Sequence, residues 1–254
     1  MARLKPSVSI IVPCYNEAGN IRGTLTSIKD ALASSDAFSS CEILIFNDFS
    51  ADETGKIAEE IKANEKGVRV IHNARNMGFG YNFSEGVRQA RKDYIIMVPG
   101  DNEIPAEAIR RVLCRAGEAD VIIPYTANPE VRPLSRRIIS RAFVALINTL
   151  FGLSLKYYNG TCLIKSSLLK KVPLKTWGFA YMAAILVRLL CSGASYIEVG
   201  IDIAQRQSGR TKAFAFKNIV SVVKAILTLF WDVRVKERSA YCSRPVRVQA
   251  KAVN

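Results

Sequence analysis

The sequence IIMVPGDNEIP, residues 95–105, joins a strand pattern to a helical pattern through two carboxylates. Its apolar start predicts a strand, which the Pro-Gly pair ends. Pro105 then opens a helical pattern, since proline is favoured in the first turn of a helix. Open α/β sheets place their ligand chemistry beyond the carboxyl ends of the strands, where Asp101 and Glu103 would lie. Carboxylate oxygens suit Mg²⁺ or Mn²⁺, but an ordinary acidic turn accounts for these two residues equally well.

The same alternation of strand and helix patterns runs through the first half of the chain. The predicted strands cover residues 7–12, 42–46, 68–71, 94–98 and 120–124. Strands that alternate with helical segments predict an α/β fold, with a mostly parallel central sheet covered by helices. Right-handed crossovers place every strand-to-helix turn at one edge of such a sheet. We therefore expect residues 15–17, Asp48 and Asp101 to meet at that edge.

The positive charge of the chain is concentrated in its second half. The 254 residues have a net charge of +14. Residues 1–129 hold 15 Lys and Arg against 17 Asp and Glu, a net of −2, whereas residues 130–254 hold 21 against 5, a net of +16. This asymmetry predicts a polyanionic partner: a membrane surface, a phosphate-bearing substrate or nucleic acid. Nucleic acid is not expected, because no recognition-helix or aromatic-studded basic sheet motif is present.

The remaining composition indicates a cytosolic globular protein. The length suits one domain with an appendage or two small domains, and no signal-peptide pattern opens the sequence. Six scattered cysteines without a Cys-x-x-Cys pair predict reduced thiols rather than a disulfide framework or a thiolate metal site. His72 is the only histidine, which removes any histidine-rich metal site, and we expect it to have a structural role.

Six segments, in order, resemble those of family-2 glycosyltransferases with the GT-A fold. The segments SIIVPCYNE (residues 9–17), NDFSADET (47–54), NMGFG (76–80) and PGDNE (99–103) are similar to the family's signatures. The segments EVGI (198–201) and RQSGRTK (206–212) resemble those of its dolichyl-phosphate mannose synthase-like branch, which uses polyprenyl phosphates. The resemblance covers roughly residues 7–217 and is carried by the ordered set rather than by any one motif.

The resemblance implies a nucleotide-diphosphate sugar donor, Mg²⁺ or Mn²⁺ as cofactor, and inversion at the anomeric carbon. The implied donor-binding residues are Pro13, Tyr15, Glu17, Asp48, Asn76, Gly78 and Asp101. Asp101 and Glu103 would hold the metal. Asp101 would be catalytic together with Arg206 and Lys212, which neutralise phosphates. The implied contacts of the acceptor phosphate are Arg132, Arg136, Arg206 and Lys212.

The sequence departs from the family pattern around the metal site. Pro99 stands where the family has the first aspartate of Asp-x-Asp, and a proline cannot ligate a metal. Glu103 stands where the branch often has a neutral glutamine, and Asn47 replaces another family aspartate. We expect Asp101 and Glu103 to remain as two anionic ligands and the activity to be retained. The alternatives are a weakened metal site or a degenerate, non-catalytic relative that binds anionic lipid.

The second half is expected to receive the acceptor. Residues 130–215 would form the acceptor half of a catalytic domain over residues 1–215, with residues 1–129 as its nucleotide-sugar half. An apolar stripe over residues 139–150, flanked by arginines, predicts either a core helix or an interfacial one. Relatives with hydroxyl acceptors often carry an acidic pair near residues 176–180, where this chain has TWGFA. A phosphate acceptor is already anionic and needs no base, which favours polyprenyl phosphate over a saccharide hydroxyl.

The end of the chain is expected to lie on a membrane surface. Residues 216–235 carry an apolar stripe opposite basic and hydroxyl residues, and their apolar run is far shorter than the ~20 residues that span a bilayer. We predict an amphipathic interfacial helix there and a basic, flexible tail over residues 236–254. The leading hypothesis is a metal-dependent, inverting hexosyltransferase that is peripheral on the cytoplasmic face of a membrane.

Overall fold

The computed structural model describes residues 5–174, 178, 180–204 and 216–249. Its strands are β1 (Ser7–Cys14), β2 (Ser40–Asn47), β3 (Val68–His72), β4 (Tyr94–Met97), β5 (Val121–Thr126), β6 (Leu163–Lys165), β7 (Ser195–Ile201) and β8 (Val246–Arg247). Its α-helices are α1 (Ile21–Ser35), α2 (Thr54–Asn64), α3 (Phe79–Gln89), α4 (Ala106–Leu113), α5 (Leu134–Phe151), α6 (Ser166–Leu169), α7 (Tyr181–Cys191) and α8 (Phe216–Phe230).

The strands form one sheet in the order β3-β2-β1-β4-β6-β5-β7-β8. Strand β6 runs antiparallel to both of its neighbours, β4 and β5, and the other strand pairs are parallel. The predicted α/β fold with a mostly parallel sheet is therefore confirmed. The ends of β1, β2, β4, β5 and β7 share one edge, because these strands point the same way.

Two apolar cores lie on opposite faces of the sheet, as alternation along the strands requires. Ile11 of β1 belongs to the core that also contains side chains of α3, α5, α7 and α8, whereas Val8, Ile10 and Val12 belong to the core that contains side chains of α1, α2 and α4. Helix α7 is buried along its whole length, which agrees with its nearly continuous apolar sequence. These two cores fix the sheet edge where the strand-to-helix turns are exposed.

The segment after α8 is more ordered than the sequence suggested. A π-helix follows at Trp231–Lys236, a 3₁₀ helix at Arg238–Tyr241, and β8 then pairs with β7. The prediction of a flexible tail from residue 236 is therefore wrong as far as residue 249, because Tyr241 is buried and the chain extends the sheet. Residues 250–254 lie outside the described residues.

A buried ion pair holds this C-terminal segment to the core. Arg188 of α7 donates from Nη2 to Asp232 Oδ2 at 2.8 Å, and both residues are at least nine-tenths buried. Ring contact between Phe151 and Phe230 joins the ends of α5 and α8. Arg234 also donates to the Leu150 carbonyl oxygen. The end of α8 is therefore attached to two other helices.

Candidate active site

The turns after β1 and β2 hold each other through reciprocal hydrogen bonds. The Asn16 and Glu17 amides donate to the hydroxyls of Ser50 and Thr54, at 3.0 and 2.8 Å. In return, the Ala51 amide donates to Asn16 Oδ1 at 2.8 Å. Asn16 has a positive φ of 57°, which asparagine tolerates better than most residues. The serine and threonine of segment 47–54 thus shape the turn that carries Tyr15 and Glu17.

Asp52 completes this set of contacts, which we call the turn latch (Asn16, Ser50, Asp52 and Thr54). Its carboxylate accepts hydrogen bonds from the Ala18 amide and from both the amide and the hydroxyl of Thr54. Partial burial raises the pKa of Asp52, but these hydrogen bonds outweigh burial and lower the pKa below its ordinary value. Asp52 is therefore a structural anion that fixes the relative position of the two turns.

Asp48 organises the loop between β3 and α3. This buried carboxylate accepts a hydrogen bond from Asn73 Nδ2 at 2.7 Å and from the Met77 and Gly78 amides at 2.8 Å each. Gly78 has a φ of 84°, a conformation that favours glycine. A carboxylate has about four acceptor positions, so Asp48 retains one for a ligand such as the base or ribose.

The carboxylates of Asp101 and Glu103 follow β4 at the expected edge. The Glu103 amide donates to Asp101 Oδ1 at 3.2 Å, which closes a tight turn. Asn102 lies between them with a φ of 55°, and its backbone amide donates to Thr24 of α1. Gly100 donates to the Pro13 carbonyl oxygen at 3.0 Å. The turn is therefore fixed against both β1 and α1, with Asp101 and Glu103 each half-buried.

Several carboxylates converge around the end of β1. Burial raises the pKa of the Cys14 thiol far above its usual range, and the charges of Glu17, Asp101 and Asp52 raise it further. A divalent cation would offset this concentration of negative charge, and Mg²⁺ binds through one or two carboxylates together with substrate phosphates. Within the described ranges, no three His, Cys, Asp or Glu side chains form a complete metal site. Asp101 and Glu103 fit a cation that is shared with the donor.

Exposed aromatic side chains border the same edge. Tyr15 is 41%, Phe49 58% and Phe79 45% exposed, although each belongs to a turn or helix start beside Asp48. Phe49 has a φ of 62°, an uncommon conformation for an aromatic residue. Aromatic faces at a pocket that binds nucleotides can stack on a base. Tyr15 is one of the predicted donor-binding residues, whereas Phe49 and Phe79 were not predicted.

Asn47, which stands where the family has an aspartate, makes a separate structural contact with His72. Asn47 Nδ2 lies 3.0 Å from His72 Nδ1, and His72 Nε2 lies 3.1 Å from Glu59. Asn47 also accepts a hydrogen bond from the Ser50 amide. The amide that replaces the family aspartate thus stabilises the turn after β2. The structural role expected for His72 agrees with these contacts.

Arg132 and Arg136, which were predicted to bind the acceptor phosphate, follow β5 at the same edge. Arg132 follows β5 and donates from Nη1 to Tyr157 Oη at 3.1 Å, with its guanidinium 5.6 Å from that ring's centre. Arg136 is half-buried in the first turn of α5. The Ala204 amide donates to the Glu103 carbonyl oxygen at 3.2 Å, so the chain that follows β7 lies against the Asp101–Glu103 turn. Arg206 and Lys212 lie outside the described residues.

The structure thus brings together most of the predicted donor residues and adds others. Tyr15 and Glu17 share one turn, Asp48 contacts Gly78, and Asp101 and Glu103 share another turn. Pro13 is buried and contributes its carbonyl oxygen to the Gly100 contact. Asn76 is exposed, and the neighbouring Asn73 is the asparagine that bonds to Asp48. Asn73 and Asn102 were missed, since nothing local distinguishes them from other turn residues.

All six cysteines are free thiols in the structure. Among the described residues, no helix has both the length and the apolar content needed to cross a bilayer.

The chain is similar in sequence to sugar-transferring enzymes. Residues 9–173 match the sequence profile of Glycosyl transferase family 2. An undecaprenyl-phosphate mannosyltransferase of Micrococcus luteus is 26% identical over 239 residues, which cover 89% of this chain and 96% of that protein. A dolichol-phosphate mannosyltransferase of Mycosarcoma maydis is 27% identical over 216 residues, which cover 82% of this chain and 74% of that protein.

A solved structure with the same fold is glucosyl-3-phosphoglycerate synthase of Mycobacterium tuberculosis. It was determined in complex with Mn²⁺, uridine diphosphate and phosphoglyceric acid. The superposition has a TM-score of 0.63 at 15% identity and covers 89% of this chain and 78% of that one. At this identity the likeness shows the GT-A-like fold alone.

Proposed function

The chain belongs to Glycosyl transferase family 2, and from that premise we propose that it transfers a hexosyl unit from a nucleotide-diphosphate sugar to a polyprenyl phosphate. The transfer would take place at the cytoplasmic face of a membrane. The similarity to undecaprenyl-phosphate and dolichol-phosphate mannosyltransferases over most of the chain supports this acceptor class. The catalytic domain would span residues 1–215.

The donor would bind at the edge formed by the β1, β2 and β4 turns. Tyr15 offers an exposed ring for the base, and Asp48 retains an acceptor position for a base or ribose N–H or O–H. Because Asp48 also holds Met77 and Gly78, loss of its carboxylate would disturb the loop as well as the ligand. Pro13, Glu17 and Asn76 complete the proposed pocket.

Asp101 and Glu103 would hold Mg²⁺ or Mn²⁺ at the donor's diphosphate. Their oxygen donors, the local excess of negative charge and the Mn²⁺ in a protein of the same fold support this assignment. When bound, the metal stabilises the charge that develops on the leaving diphosphate. Pro99 in place of an aspartate leaves these two carboxylates as the protein's contribution. Arg206 and Lys212 would add positive charge next to the phosphates.

One observation carries the acceptor assignment: residues 131–197 contain ten Lys and Arg and not one Asp or Glu. This segment includes the end of the loop after β5, from residue 131 on, together with all of α5 and all of α7. A hydroxyl acceptor needs a base to remove its proton, whereas a phosphate monoester is already an anion at neutral pH. Arg132 and Arg136 would bind the acceptor phosphate, and arginine suits phosphate oxygens because its guanidinium donates two parallel hydrogen bonds.

The proposed reaction is a direct displacement with inversion. A phosphate oxygen of the acceptor attacks the anomeric carbon, and the bond from that carbon to the donor's diphosphate oxygen breaks. The nucleoside diphosphate leaves with both electrons of that bond, and no proton has to be removed from the nucleophile. The protein's part is to orient the two substrates on one edge and to offset the charge of the phosphates.

A second candidate acceptor, a saccharide hydroxyl, is favoured by the position of Asp202. This exposed carboxylate directly follows β7 at the same edge, two residues before the Ala204–Glu103 hydrogen bond. It could act as a base in a way the sequence did not predict. Asp202→Asn separates the two acceptors: transfer to a lipid phosphate should persist, whereas transfer to a hydroxyl should fall by about 10²-fold or more.

The function is tested by incubating the protein with nucleotide-sugars, Mn²⁺ and a short polyprenyl phosphate, beside the matching alcohol and a panel of oligosaccharides. We expect product on the lipid phosphate alone, and loss of transfer with Asp101→Asn or with excess chelator. Arg132→Ala and Arg136→Ala should raise KM for the lipid and leave nucleotide binding unchanged. Transfer to an oligosaccharide without lipid product would overturn the acceptor, and full activity in chelator would overturn the metal.

A further inference from the structure

We propose that α5 is a membrane-docking helix whose flank binds the phosphate of an anionic phospholipid through Arg141 and Lys156. The inference rests on the proposed membrane location but not on the reaction. It adds a lipid site, separate from the acceptor phosphate site at Arg132 and Arg136, that the protein would use to stay on the bilayer.

The outward face of α5 is apolar and uncovered. Leu134, Ile138, Ile139 and Leu146 are 65%, 57%, 50% and 47% exposed. At 1.5 Å per residue, this face runs for about 18 Å along the helix. Ile147 and Phe151 of α5 are fully buried, and Phe143, Val144 and Leu150 pack against the same core, so the inward face of the helix is covered while the outward face is not. Large apolar side chains exposed together along one helix face, rather than singly, are typical of an interaction site.

A cleft of about 250 Å³ lies along one flank of the same helix. Its lining consists of Ser140, Arg141, Val144, Ala145, Asn148 and Lys156. The lining contains two cations and a hydroxyl but no carboxylate. Arg141 is exposed and makes no hydrogen bond or ion pair with any described residue. One turn earlier, the Arg137 Nε atom is buried without a hydrogen-bond partner among the described residues.

The far wall of the cleft is held rigidly. Asn148 donates to the Leu155 carbonyl oxygen and accepts from the Leu155 amide and the Tyr158 hydroxyl. The Lys156 amide donates to Glu198 at 2.6 Å. The Lys156 ammonium lies 4.1 Å from the centre of the Tyr125 ring, a contact that positions the charge without neutralising it. Lys156 is therefore held in place on one side of the cleft, and Arg141 lies on the other side with its guanidinium exposed.

These features together select an anionic phospholipid as the occupant. The apolar face suits acyl chains, and the flanking cations suit a phosphate at the depth of the headgroups. A free phosphate would account for the cations but not for the apolar face. A second copy that docked through the same face would account for the apolar surface but would bring the same cations and no matching anions, since residues 131–197 contain no Asp or Glu. A bilayer with anionic lipid satisfies both parts at once.

The test measures binding to phosphatidylcholine vesicles with and without phosphatidylglycerol. Arg141→Gln with Lys156→Gln should weaken binding to the anionic vesicles about 30-fold, the factor for about 1 kcal/mol from each of two basic side chains. Binding to neutral vesicles should not change. Ile138→Ser with Leu146→Ser should weaken binding to both kinds of vesicle. The matched control is Lys66→Gln with Arg91→Gln, two exposed cations at the opposite edge of the sheet, which should have little effect.

Each remaining outcome decides the proposal. Equal losses in the Arg141/Lys156 variant and the control would show a diffuse charge effect and overturn the site. Release from vesicles by excess inorganic phosphate would overturn the lipid as occupant. A dimer in sedimentation that Ile138→Ser with Leu146→Ser converts to monomer would assign the face to a second copy. Transfer to a short polyprenyl phosphate in detergent should survive loss of Arg141 and Lys156, and absence of transfer in every variant would count against the proposed function alone.

Discussion

Gly100→Ala should disrupt the active site by separating the turn after β4 from β1. A Cβ at residue 100 would lie 2.4 Å from Cys14 Sγ, about 1 Å short of the 3.4 Å at which ordinary contact begins. It would also lie 3.2 Å from the Pro13 carbonyl oxygen, which now accepts the Gly100 amide hydrogen. Cys14 is buried and its sulfur has little room to give way, so we expect the turn that carries Asp101 to move by about 1 Å.

Two measurements follow from this displacement. Overpacking in a close-packed interior costs about 1–3 kcal/mol, so the free energy of unfolding in denaturant should fall by that amount. A displacement of about 1 Å in a positioning group can reduce the rate by about 10²-fold, so kcat/KM for sugar transfer should fall to that extent. Gly19→Ala is the matched control, because no atom lies within 4 Å of its Cβ position.

A double-mutant cycle with Cys14→Ala tests whether the sulfur is the cause. Removing Sγ leaves the Pro13 oxygen at 3.2 Å and the Cys14 Cβ at 3.4 Å as nearest atoms, which need only small adjustments. Gly100→Ala should therefore cost at least ~1 kcal/mol less in the Cys14→Ala background than in the wild type. Additive effects of the two substitutions would refute this reasoning.

Three further predictions concern other contacts. Thr54→Val should lower the free energy of unfolding by about 1–3 kcal/mol, because the Glu17 amide loses its hydrogen-bond acceptor and the Asp52 carboxylate loses a donor. An unchanged midpoint in denaturant would contradict the role of the turn latch. The pKa of Asp52 is lower in the folded state than in the unfolded state, where it is about 3.9. Its stabilising contribution is therefore present above the unfolded pKa and is lost as the pH falls through the folded pKa. Asp52→Asn should flatten the acid side of a curve of unfolding free energy against pH, and an unchanged acid side would count against this role. Arg188→Met should lower the free energy of unfolding by about 3–5 kcal/mol, because it leaves the buried Asp232 carboxylate without its cation. Adding Asp232→Leu should recover much of this loss, measured by thermal unfolding. No recovery would show that the ion pair itself is stabilising.

The sequence predicted the strands well because their signal is local. Each predicted strand appears in the structure within one or two residues of its expected ends. Convergence of the turns was also predictable, since right-handed crossovers leave no other edge for them. The carboxylates of Asp101 and Glu103 were found for the same reason: they follow a buried strand directly.

The contacts that shape the site were not predictable from local patterns. The turn latch joins residues 34 to 37 positions apart in the chain. Asn73 resembles any other turn asparagine until β2 and β3 are paired, which brings it to Asp48. The folded tail was missed because Val246 and Arg247 form a two-residue strand only by pairing with β7. In each case the information lies in tertiary contacts rather than in spacing.

The antiparallel strand β6 has a consequence for synthesis of the chain. It supplies the second neighbour of β4, through pairs such as Ile95 with Ile164, and one of the two neighbours of β5. While the ribosome has made only the first 129 residues, β4 has one open edge and β5 has no partner at all. All of β4 and the first four residues of β5 are buried in the finished protein, so this intermediate exposes apolar edges that favour aggregation. If the gene were divided near residue 130, where the acidic half of the chain meets the basic half, β4 and β5 would be separated from β6. We therefore expect neither half to fold independently.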